Sequence, residues 1–114
     1  LMKSILLAAL LGLVSYSAVA AEAPFTVSAG PSNAGALYSK VYITSRSDSV
    51  VIKKIIVNRG NCQDAEAMPW KPVRLGFGNT VDRLFVGKGF MSACRILEIA
   101  VDTDQGSWSF NTNQ

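Results

Sequence analysis

Cys62 and Cys94 carry the sharpest chemistry in this chain, and no histidine accompanies them. Without histidine, neither a Ser-His-Asp nor a Cys-His nucleophile system can be assembled. Two thiolates alone cannot complete a four-ligand zinc site. The two cysteines are far apart in sequence, not in the C-x-x-C spacing that redox catalysts use. The remaining chemistry is one structural disulfide, Cys62–Cys94. It would close a loop of about 33 residues, for which chain entropy predicts ~3.5–4 kcal/mol of stabilisation. Against a total of about 5–15 kcal/mol that is a large share. Such a bridge persists only in an oxidising compartment.

The carboxylates make a weaker case. Asp64, Glu66 and Glu98 are the acids from which an acid–base pair would be drawn. Glycosidase chemistry needs two carboxyls across a cleft, one of them with a raised pKa. A small β domain leaves little room for that cleft, so these read as solvated acids and no catalytic residue is assigned. Asp102-Thr-Asp104-Gln-Gly106 lacks the third oxygen ligand, the glycine at the sixth position and the acid at the twelfth that an EF-hand loop requires. It reads as a hairpin turn. Gly87-Lys88-Gly89 has no following helix and is a turn rather than a phosphate cradle. No metal and no cofactor is expected.

Tyr38, Lys40 and Tyr42 are the first candidate recognition residues. They alternate with Ser39, Val41 and Ile43, so a core-facing Val41 and Ile43 would turn them outward. Exposed tyrosine supplies rigid apolar area with a polar tip. The competing reading is a sheet face covered by a neighbouring loop. Trp70 is the second candidate, held between Pro69 and Pro72. It either anchors a partner from a rigid loop or folds back to cap the end of the domain.

The elements that must position these residues are strands. Phe25–Val27 reads as a short first strand, and Ala29 to Gly35 as a breaker cluster. Leu37–Ser45 alternates as a half-buried strand, with Leu37 on the inner face. Val50–Val57 is rich in β-branched residues, apolar on both faces and therefore central. Lys53 and Lys54 break its alternation, which a bulge or a snorkelling lysine would accommodate. Residues 63–72 read as a long connection, with room for one helical turn at Asp64–Met68. Val73–Phe77, Val81–Val86, Arg95–Asp102 and Ser107–Asn111 complete the set, with Leu97, Ile99 and Val101 expected inward. About seven short strands at this spacing predict an all-β fold, a small immunoglobulin-like sandwich or a barrel.

The chain starts with Lys3, an apolar run from Ile5 to Val14 and the small residues Ala18-Val19-Ala20. That is the pattern of a secretory signal peptide, residues 1–21, too short in its apolar part to span a membrane. The remaining 22–114 form a single disulfide-stapled domain. Removing residues 1–20 takes Lys3 and no acid, lowering the net charge from +3 to +2. A value so mild, with no basic stripe, does not predict nucleic-acid binding. The expectation is an exported, periplasmic or secreted protein, not an enzyme. Its role would be binding or structural, its partner a protein or envelope component. No stable membrane insertion is expected after cleavage. The alternative is an inhibitor of a secreted enzyme that presents the Trp70 loop.

Overall fold

The structure, a computed structural model, describes residues 22–112. The expected signal peptide, 1–21, lies outside the described residues. Eight strands form two antiparallel sheets: β1 (Phe25–Pro31), β2 (Tyr38–Ser45), β3 (Val50–Val57), β4 (Cys62–Asp64), β5 (Val73–Leu75), β6 (Thr80–Gly87), β7 (Glu98–Thr103) and β8 (Gly106–Asn111). One sheet has the order β1-β2-β6-β4, the other β5-β3-β7-β8. Their inner faces pack together. Phe25, Val41, Ile43 and Phe85 from the first sheet meet Val50, Ile52, Val57, Leu75, Ile99 and Val101 from the second. Burying each such side chain contributes about 1.5–3 kcal/mol.

The period of two decides most of this. Along β2, Ser39, Val41, Ile43 and Ser45 are buried while Tyr38, Lys40, Tyr42 and Thr44 are half-buried. In β3 the register slips between Ile52 and Lys54 against β7, a bulge at the adjacent lysines. Both lysines are exposed, and Val50, Ile52 and Val57 still reach the core. Without the extra residue, one half of the strand would present its apolar side chains to solvent.

Five segments depart from the sequence expectation, the shortest being the start of β2, where Leu37 precedes the strand and is exposed rather than turned inward. The first strand does not stop at Val27 but continues through the breaker cluster to Pro31, paired with Ser39. β1 is an edge strand, where proline leaves no ladder bond unmade. The supposed connection after Cys62 holds a further strand, β4, paired with β6, and no helical turn. β5 ends at Leu75, and Phe77 lies in a turn, largely exposed. Finally, β7 starts at Glu98, not Arg95. Ile96 is buried and Leu97 exposed, the reverse of the expected facing. The cause is Asn58, whose Oδ1 accepts from the backbone N–H of both Leu97 and Glu98 while its Nδ2 donates to the Arg95 carbonyl. Those groups would otherwise pair in a ladder, so the chain turns before the strand begins.

Cys62 and Cys94 are bonded, with Cα atoms 5.6 Å apart. The bridge ties β4 to the 88–97 connection rather than joining strand to strand. That connection is also pinned by Cys94 N–H to the Leu37 carbonyl and by the Ser39 hydroxyl to the Cys94 carbonyl. The Thr112 hydroxyl donates to the Ile96 carbonyl.

Candidate binding face

The outward face of the first sheet is built by register. Tyr42 stands opposite Ser28 on β1 and Asp82 on β6; Lys40 stands opposite Gly30 and Leu84; Tyr38 stands opposite Val86. Lys40 Nζ lies 3.7 Å from an Asp82 carboxylate oxygen. Beyond β4 the chain keeps contact with β6: Ala65 N–H donates to the Leu84 carbonyl, and Leu84 N–H donates to the Glu66 carboxylate. This brings Glu66 over the face. On the other side the β1–β2 connection rises as a wall. Between the two lies a groove of about 500 Å³ lined by Pro31 to Ala34, Lys40, Tyr42, Leu84 and Glu66.

Lys40 and Tyr42 therefore share one groove. Tyr38 lines a neighbouring one with Cys94 and Arg95, across the 31–36 wall. Its ring packs near Gly35, where an added Cβ would lie 3.5 Å from the ring edge. Gly35 has φ +141°, which suits glycine alone. The groove also uses Asn33, Glu66 and Leu84, which sequence reading did not select as binding residues. Strand alternation signals Leu84; nothing local signals Glu66, because its position depends on the edge pairing that follows β4.

Trp70 is elsewhere. Its indole N–H donates to the Lys53 carbonyl at 2.9 Å, and the Arg83 guanidinium sits 5.3 Å from its ring centroid. Lys53 is the bulge residue, absent from the β3–β7 register, so its carbonyl is available to the indole. Arg83 donates to Asp64 at 2.5 Å and to the Met68 carbonyl at 2.6 Å, with its side chain only 12% exposed. Asp64, Met68, Trp70 and Arg83 thus form one clamp that fastens the 65–72 connection across the edge of both sheets.

The remaining acids considered for chemistry are dispersed. Glu98 pairs with Arg59 at 2.8 Å. Asp104 accepts from Val51 N–H, and Asp102 from the Ser107 hydroxyl. Asp104 and Gln105 form the two-residue turn of the β7–β8 hairpin, followed by Gly106 at φ +131°. Among the described residues no cluster of three or more metal-ligating side chains is present. No helix among them is long and apolar enough to cross a membrane. No protein-family model, curated protein sequence or solved structure matches the chain.

Proposed function

We propose that the protein is a non-catalytic binding module of the periplasm or the secreted space, recognising a protein or envelope component through the outward face of its first sheet. The observation that carries this is the groove in which half-exposed Lys40 and Tyr42 stand beside Glu66. A tyrosine with one wet edge, next to groups of both signs, is suited to a polar partner surface. Export to an oxidising space is supported by the Cys62–Cys94 bridge.

The sandwich itself supports a binding role by analogy of architecture. Setting aside the three-residue β5, the seven other strands follow the order of a constant-type immunoglobulin sandwich, with strands one, two, five and four facing three, six and seven. The bridge differs from that of antibody domains, since it joins β4 to the connection before β7. An inhibitor reading would need a new anchor. Trp70 is engaged by Lys53 and Arg83, leaving exposed Met68 and Lys71 to make the contact.

Affinity capture from envelope extract tests the proposal, using the mature domain and its Tyr38→Ala/Tyr42→Ala variant. Each truncation should weaken partner binding by about 1–2 kcal/mol without unfolding the domain. Equal recovery by both proteins would remove this face as the site.

A further inference from the structure

One end of the sandwich differs in character from the other. The β1–β2, β3–β4 and β6–β7 connections meet there around the disulfide. They are joined by Cys94 to Leu37, Asn58 to Arg95, and Gly89 N–H to the Gln63 side chain. Of the six large exposed hydrophobics among the described residues, four lie on these connections: Leu37, Phe90, Met91 and Leu97, with Met91 85% exposed. Among the described residues the same end carries Arg59, Lys88 and Arg95, with Arg59 paired to Glu98 and Lys88 exposed. At the opposite end Arg46 and Arg74 are balanced by Glu22, Asp48 and Asp104, with Arg46 lying 3.7 Å from Glu22.

Phe90 and Met91 are held outward by construction. Gly87 N–H donates to the Ser92 carbonyl and closes a tight loop. Within that loop Phe90 has φ +64°, a left-handed conformation costly for a bulky residue. Such strain persists only where the surroundings impose it, and it concentrates at working surfaces. Phe90 is 47% exposed, and both side chains stand open to solvent at the tip of the loop.

We infer that this end docks on an anionic lipid surface. A projecting aromatic and thioether beside lysine suits the boundary between headgroups and acyl chains. The surrounding cations are drawn to negative headgroups, an attraction that falls off within a Debye length. This docking is peripheral and uses the 88–91 loop, beside the 31–34 wall of the groove on the first sheet. It leaves the Lys40–Tyr42 face turned sideways from the membrane.

Co-sedimentation of the disulfide-intact protein with vesicles tests it. The wild type should bind phosphatidylglycerol–phosphatidylcholine vesicles, bind pure phosphatidylcholine poorly, and be released by high salt. Lys88→Ala should weaken binding about five-fold, the equivalent of ~1 kcal/mol for one cation at such a surface. Phe90→Asn/Met91→Ser should weaken it about ten-fold or more, since asparagine tolerates the left-handed backbone. Melting curves matching wild type establish that both variants fold; Tyr42→Ala, away from this end, should bind vesicles normally. Any of four results overturns the inference: no vesicle binding by the wild type, equal binding to both lipids, indifference to Phe90 and Met91, or retention on polyglutamate resin without vesicle binding. The last would reassign the end to an acidic protein.

Discussion

Trp70 and Arg83 show how a residue that looks available can be committed to the fold. The indole bonds a backbone carbonyl that the bulge leaves free, and Arg83 serves Asp64, Met68 and the ring together. Trp70→Phe should keep the ring over Arg83 and lose one hydrogen bond, costing about 1 kcal/mol. Trp70→Ala should cost about 2–3 kcal/mol, less than for a fully enclosed aromatic because the ring is half-buried. Arg83→Ala strands a carboxylate and a carbonyl and should cost about 2–3 kcal/mol. Arg83→Lys should recover only part of that, since one ammonium cannot reproduce donation from Nε and Nη2 together. Urea unfolding of the four variants measures the series. Sequence left Trp70 either as a loop anchor or folded back over the end of the domain, whereas it clamps a connection across the sheet edges. The choice was illegible because it depends on Lys53, 17 residues away, and on an arginine that faces inward.

At the scale of elements, period and β-branching located β2, β3, β6 and the β7–β8 hairpin, and the lysine pair marked the bulge. The boundaries were lost where side chains intervene. Asn58 delays β7, and β4 is three residues long with no pattern of its own. The 88–91 loop rests on Gly87, where an added Cβ would lie 2.2 Å from the Ser92 carbonyl oxygen. Gly87→Ala should therefore cost about 1–3 kcal/mol by overpacking, visible as a lowered melting temperature. The bridge holds the same loop from the other side. Cys62→Ala/Cys94→Ala should cost about 2–5 kcal/mol, and reductant should reproduce the loss in the wild type. Thiol titration of the denatured wild-type protein should find no free thiol; two titratable thiols would contradict the pairing.

For the molecule as a whole, the two sheets divide the work. Inner faces supply the core. The outward face of the first sheet carries the Lys40–Tyr42 groove, and the clamp at Trp70 closes one edge. The alternation that turned Tyr38, Lys40 and Tyr42 outward was legible, because a period of two needs no tertiary knowledge. The groove was not, because its walls come from segments distant in sequence, 31–34 and Glu66. Recognition through this face is most directly tested by the amide NMR spectrum of residues 22–114 titrated with solubilised envelope fractions. Shifts should concentrate at Ser32 to Ala34, Tyr38, Lys40, Tyr42, Asp82 and Leu84, and leave Trp70 and Lys71 unmoved. Shifts centred on the Trp70 connection, or none with any fraction, would contradict it.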